Sequence, residues 1–213
     1  MGNKAQLIFN LNSEYKDAEC ELHFKNNYQL IVAVILSAQC TDKRVNQVTP
    51  GLFKKYPTVQ SLAQADKTEL EQIILPCGFY HNKAKNLIDM AKGVVNMYNG
   101  EIPNTKQHLV KLAGVGEKTA NVVLATAFKV PAIAVDTHVF RVSNRMGLAN
   151  ATTVEKTQKQ LEKAIPVDYW INLHYALVLH GRYVCKAIKP KCEECKFSQY
   201  CKYYKQKNKT TKS

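Results

Sequence analysis

An all-α fold is predicted by three features of this 213-residue sequence. Apolar residues recur at spacings of three and four, no period-two alternation of useful length occurs, and glycine, proline and capping residues bound the segments. From the N-terminus, Leu7, Ile8 and Leu11 give residues 1–20 one amphipathic helical segment. Residues 28–38, YQLIVAVILSA, are apolar all round, which marks a buried helix. It stops at the polar cluster Gln39-Cys40-Thr41-Asp42, where Thr41 or Asp42 can cap the next helix, carrying Val45, Val48 and Leu52.

Residues 61–65 and 67–74 read as two short helices, the second meeting Pro76. Residues 77–84, CGFYHNKA, suit a loop tip with an exposed Phe79, followed by a helix from about Asn82 to Tyr98 that Gly100 and Pro103 end. Further helices are expected over 153–164 and 169–181. The tail from Lys202 holds five lysines and few large apolar groups beyond Tyr203 and Tyr204, so its last part is expected to be disordered and to add to the positive charge of the surface.

Thirty Lys and Arg against seventeen Asp and Glu leave a net charge of +13, the electrostatic footprint of a polyanion binder, although a merely basic soluble surface would look the same. No apolar run approaches the roughly 18 residues of a membrane-spanning helix, which argues against a membrane partner. The start, MGNKAQLIF, fits neither a secretory leader nor a myristoylation signal, so the expected compartment is the cytoplasm, at the nucleoid. A reducing compartment makes a disulfide framework from the seven cysteines unexpected.

The chemistry concentrates in residues 109–142. A short apolar helix ending near Leu112 meets Gly114-Val115-Gly116, where two glycines permit the positive φ angles and close backbone approach of a tight turn. The helix that follows offers unpaired N–H groups at the positive end of its dipole, a seat for a phosphate oxygen. This is the pattern of a helix-hairpin-helix that holds DNA backbone without reading bases. Lys118 falls in that first turn, the wrong end of a helix for an ammonium, and as a free amine it is a nucleophile. Asp136, eighteen positions on, follows the apolar run 132–135 and precedes a helix. On spacing alone, Lys118 is most simply a phosphate contact and Asp136 a helix cap.

A second landmark is Cys185, Cys192, Cys195 and Cys201, separated by six, two and five residues in one basic segment. Four thiolates in a small loop can hold a tetrahedral zinc or a cubane iron–sulfur cluster, and the residues alone favour zinc as the commoner structural metal. His174 and His180 precede the loop on an apolar helix, where packed or surface roles are simpler than ligation. Cys20, Cys40 and Cys77 have no ligand-like spacing and read as buried or incidental thiols.

LAGVGEKTANVVL followed by VDTHVFRV closely resembles the endonuclease III family of bifunctional DNA glycosylases, in the helix-hairpin-helix superfamily, over about residues 20–201. The resemblance makes Lys118 the Schiff-base lysine, Asp136 the catalytic aspartate and the four-cysteine spacing a [4Fe–4S] loop. Gln39, in LSAQCTD, matches the residue inserted where a nucleotide has flipped out, and Phe79 lies where the family has an apolar wedge. Without the family these would read as a helix-end amide and a core aromatic. Gly114 and Gly116 would meet DNA backbone, as would Lys186, Lys189, Lys191 and Lys196 on the cluster loop. Two departures stand out. Ala113 replaces a usual proline and slightly loosens the turn; Glu117 replaces a usual arginine or proline and weakens DNA contact unless it points to solvent or pairs with a lysine.

The implied architecture is two helical domains: a six-helix barrel over residues 21–132, and an iron–sulfur cluster domain from residues 1–20 and 133–213, with a DNA-binding cleft between them. The implied protein is a monomer acting on double-stranded DNA with oxidised pyrimidines or abasic sites, removing the base through a Lys118 imine and nicking by β-elimination. One rival is an adenine-mismatch glycosylase of the same superfamily, which lacks the lysine at this position and carries a further C-terminal domain. The other is a non-catalytic iron–sulfur DNA-binding protein, which would leave the pairing of Lys118 with Asp136 unexplained.

Overall fold

The structure is a computed structural model that describes residues 2–210, with side chains described through residue 208. Among the described residues there are twelve α-helices and no strand. In chain order they are α1 (Asn3–Glu14), α2 (Asn27–Leu36), α3 (Asp42–Lys55), α4 (Val59–Ala63), α5 (Lys67–Ile74), α6 (Tyr80–Tyr98), α7 (Lys106–Leu109), α8 (Glu117–Ala127), α9 (Thr137–Met146), α10 (Val154–Ala164), α11 (Trp170–Tyr183) and α12 (Lys202–Thr210). None of them is long and apolar enough to cross a membrane. The chain divides into two compact units, residues 21–129 and residues 1–20 with 130–213.

The first unit is arranged on α2. Asn26 caps it through the Gln29 N–H, and eight of its ten residues are buried against α3, α6 and α8. Full burial of side chains such as Leu30 and Ile31 contributes roughly 1.5–3 kcal/mol each, enough to hold a helix with no polar face. Thr41, the expected cap, accepts from the Arg44 N–H at 3.3 Å, and Val45, Val48 and Leu52 point inward from α3. The helix expected over 61–65 begins two residues earlier, because Thr58 and Ser61 form a reciprocal capping box that fixes its start. The α6 helix likewise begins at Tyr80, two residues ahead of expectation, since Gly78 (φ +67°) and Phe79 (φ +48°) make the turn before it.

The second unit has its own core. Leu7, Ile8 and Leu11 of α1 meet Val139 and Val142 of α9, Leu161 of α10 and Leu173, Ala176 and Leu177 of α11. The expected disorder toward the end of the tail is corrected for residues 202–210, which are helical; residues 211–213 lie outside the described residues. Two tyrosines account for this. Tyr203 and Tyr204 pack on the core, the Arg145 guanidinium lies 4.8 Å from the centre of the Tyr203 ring, and the Tyr204 hydroxyl donates to Glu193 at 2.7 Å.

Candidate active site and cysteine loop

The hairpin differs in detail from the sequence expectation. The α7 helix stops at Leu109 instead of Leu112, and Lys111 and Leu112 continue in three-residue turns onto the His108 and Leu109 carbonyls. Only Gly114 has a positive φ (+74°), and a Cβ there would lie 2.9 Å from the Asn86 Cβ of α6, so both conformation and space demand glycine. Gly116 is extended (φ −85°, ψ 178°), a conformation any residue adopts, and a Cβ on it would meet nothing within 4 Å. The absence of a side chain leaves open surface at the N-cap of α8, where no side chain caps the helix.

Lys118 follows in the first turn of α8 and is exposed. Its neighbour Glu117 is three-quarters exposed and pairs with Lys106 at 3.1 Å, so the acid that departs from the family pattern is both solvated and matched by a cation. Across α8, Ala120, Asn121, Val123 and Leu124 are buried, and the helix packs on α2, which fixes the face that Lys118 leaves in solvent.

In the other unit, Asp136 caps α9, its Oδ1 accepting from the Val139 N–H at 2.7 Å. Its second carboxylate oxygen has no hydrogen-bond partner among the described residues. The run before it, Ala132 to Val135, is buried, so the carboxylate emerges at the rim of a packed core.

Gln39 and Phe79 share a backbone feature that sequence reading missed. Both have positive φ, +53° and +48°, in exposed turns. For residues with a Cβ this is a strained conformation of the kind concentrated at functional sites. Phe79 is 63% exposed, which rules out the core-aromatic reading. Beneath these turns lies Lys83, only 5% exposed, whose Nζ donates to the Leu36 carbonyl at 2.8 Å and the Cys77 carbonyl at 2.9 Å. Desolvation holds its pKa below the ordinary lysine value. It occupies the apolar stripe of α6 with Ala84, Leu87 and Met90, and that helical phase was the available signal.

The four cysteines Cys185, Cys192, Cys195 and Cys201 line one cavity with Met146, Val184, Pro190 and Tyr203. Two arginines of α9 hold the loop. Arg141 donates from Nε to the Cys185 carbonyl at 3.0 Å and from Nη2 to the Gly181 carbonyl at 2.8 Å. Arg145 donates to the Lys186 and Ala187 carbonyls at 2.7 and 3.0 Å, with Nη1 3.6 Å from the Cys185 sulfur. His180 is buried; its Nδ1 lies 2.9 Å from the Tyr15 hydroxyl and its Nε2 3.6 Å from the Cys195 sulfur.

Burial pushes the Cys195 and Cys201 thiols up, so a positive metal core is what would keep them as thiolates. Among the described residues no set of three or more His, Cys, Asp or Glu groups is arranged for a single ion. Four sulfur donors lining one cavity fit the iron–sulfur cluster that their spacing implies. Of the loop lysines, Lys191 pairs with Glu194 at 3.6 Å and Lys196 with Glu14, while Lys186 and Lys189 are exposed without an ion pair among the described residues.

Comparison with known proteins agrees with this geometry. Residues 32–167 match the family model described as HhH-GPD superfamily base excision DNA repair protein, and residues 185–201 match the iron–sulfur binding domain of endonuclease III. The chain is 45% identical to endonuclease III of Synechocystis sp., over 92% of this chain and 90% of that protein. A solved structure of a non-covalent endonuclease III–DNA complex superposes with a TM-score of 0.91 at 44% identity, covering 98% of this chain and all of that one. A trapped endonuclease III–DNA covalent intermediate, an estranged-adenine complex, gives a TM-score of 0.91 at 43% identity with the same coverage. With the hairpin, the cysteine loop and a 136-residue family match in one chain, it belongs to the endonuclease III family of the HhH-GPD superfamily of base excision DNA repair proteins.

Proposed function

We propose that this chain, acting as a monomer at the nucleoid, excises oxidised pyrimidines from duplex DNA and then cuts the abasic strand by β-elimination, with Lys118 as nucleophile. The observation that carries the reading is an exposed amine directly after a hairpin whose open Gly116 surface admits a DNA backbone. The solved relative trapped as a covalent intermediate on DNA supports a reaction that passes through a protein–DNA bond.

The damaged nucleotide is flipped from the stack, with Gln39 and Phe79 filling the space it leaves. The Lys118 Nζ lone pair attacks C1′, and the C1′–N bond to the base breaks. The base departs with the bonding electrons and takes up a proton. The new secondary ammonium gives up a proton; Asp136 is the base of the reaction, since the α9 cap occupies its Oδ1 and leaves the other oxygen to accept. Opening of the sugar ring then yields the imine. Loss of a C2′ proton expels the 3′ phosphate, and water hydrolyses the imine to free the lysine. An oxygen nucleophile would release the base but form no imine. When bound, a [4Fe–4S] cluster on Cys185, Cys192, Cys195 and Cys201 cross-links the loop; Lys189 and Lys191 then face phosphate from a rigid backbone.

Borohydride added during reaction with a thymine-glycol duplex tests this. The expected product is DNA attached at Lys118, absent from Lys118→Gln, which still binds DNA. A Lys118→Gln protein that nicks at the wild-type rate would refute the assignment.

A further inference from the structure

One buried ammonium holds both of the turns that carry Gln39 and Phe79. At the end of α2 the Cys40 N–H, which would continue the helix onto Leu36, turns instead to the Ser37 carbonyl at 3.1 Å, and Gln39 stands inside that turn at φ +53°. The Leu36 carbonyl is taken by the Lys83 Nζ, at 2.8 Å. The same nitrogen donates to the Cys77 carbonyl at 2.9 Å, two residues before Phe79. The Lys83 backbone N–H donates to the Phe79 carbonyl at 3.0 Å. Lys83 therefore grips the Phe79 turn on both sides and the Gln39 turn at its base.

Lysine is rarely buried, because its ammonium gives up water. A hydroxyl would satisfy either carbonyl alone, whereas an ammonium offers three donors from one point and so ties two separate carbonyls to a single atom. The negative end of the α2 dipole also favours a cation there. Positive φ in a residue with a Cβ persists only where surrounding contacts over-determine it, and the Lys83 bonds are contacts of that kind for both turns.

We propose that Lys83 is a positioning residue for lesion recognition: it holds the Gln39 and Phe79 turns in one fixed relation, ready to enter a duplex at a damaged nucleotide. This role rests on reading Gln39 and Phe79 as the groups that enter the duplex. Without the ammonium the two turns relax independently, and only molecules with both in place receive the opened duplex. Affinity for a lesion falls in proportion to that fraction, about tenfold if a tenth of the molecules are ready. Undamaged duplex stays stacked and is held through its backbone alone, at the Gly116 surface and the loop lysines, so its affinity does not depend on the turns.

The test uses the cluster-loaded full chain carrying Lys83→Met, at a temperature where helix dichroism shows it folded. Lys83→Gln, neutral and one bond shorter, is measured beside it in case the methionine protein does not fold. Fluorescence anisotropy gives the affinity of each for a duplex with a tetrahydrofuran abasic analogue and for the same duplex undamaged. The expected result is about tenfold weaker binding of the abasic duplex with unchanged binding of the undamaged one. Equal losses on both duplexes would reduce Lys83 to a structural support and overturn the proposal, as would wild-type affinity for both. Gln39→Ala and Phe79→Ala report on insertion itself. Wild-type binding of the abasic duplex by both would sink the insertion reading; weakened binding by them beside unchanged selectivity in the Lys83 variants would sink the positioning role alone.

Discussion

Replacing each hairpin glycine by alanine separates two roles that look identical in GVG. At Gly114 an alanine must adopt φ +74°, which costs about 1–2 kcal/mol for an L residue. Its Cβ would also lie 2.9 Å from the Asn86 Cβ, and displacing an atom so near the α6 backbone adds about 1–3 kcal/mol of overpacking. Gly114→Ala is therefore expected to lose about 2–5 kcal/mol of stability. At Gly116 the backbone is ordinary and the space around a Cβ is empty. The only stability cost is that alanine is the poorer N-cap, under about 1 kcal/mol. The new methyl, however, stands on the surface proposed to receive a DNA backbone, and Gly116→Ala is expected to bind an abasic-analogue duplex about tenfold more weakly. Urea unfolding followed by helix dichroism reads the first effect, and fluorescence anisotropy with labelled duplex reads the second. Equal stabilities for the two variants, or wild-type DNA affinity in Gly116→Ala, would refute this division of roles.

Lys83→Met keeps the side-chain length but leaves the buried Leu36 and Cys77 carbonyls without their donor, which is expected to cost about 3 kcal/mol in urea unfolding after partial relief of ammonium desolvation. Arg145→Met removes two carbonyl contacts and the stacking on Tyr203; purified protein should be paler in the visible iron–sulfur band than wild type, and equal iron content would contradict the anchoring role. Tyr28 and Tyr56 both titrate above the ordinary tyrosine value because burial disfavours the phenolate. Their stabilising contribution is complete below about pH 10 and lost as pH rises through the folded values, so Tyr28→Phe should blunt the loss of stability measured between pH 10 and 12.

What the sequence disclosed and what it withheld follow from the range of the interactions involved. The Thr41 cap, the buried run from Tyr28, the glycine turn before Lys118 and the Asp136 cap are local, set by residues within four positions of one another. The Thr58–Ser61 capping box is also local, but Ser61 by itself reads as a helix start and so hides the cap at Thr58. The supports of the site are not local. Arg141 and Arg145 reach across 40 or more positions to the cysteine loop, and Tyr15 reaches His180 across 165, so no spacing rule reveals them. The α12 helix is hidden from the sequence for a similar reason: its composition is that of a solvated tail, and Tyr203 and Tyr204 anchor it through Arg145 of α9 and Glu193.

In the proposed reaction the carboxylate at position 136 would serve architecture and reactivity with different atoms. Tethered to the Val139 amide, it cannot rotate away as a free surface aspartate would, so it presents its remaining lone pairs along one fixed bearing. Alanine would therefore destroy helix entry and proton acceptance together and say little about either. Asparagine retains an oxygen for the tether while surrendering basicity, and glutamate retains basicity on a longer, untethered arm. Between them these two replacements divide a scaffold defect from a chemical one.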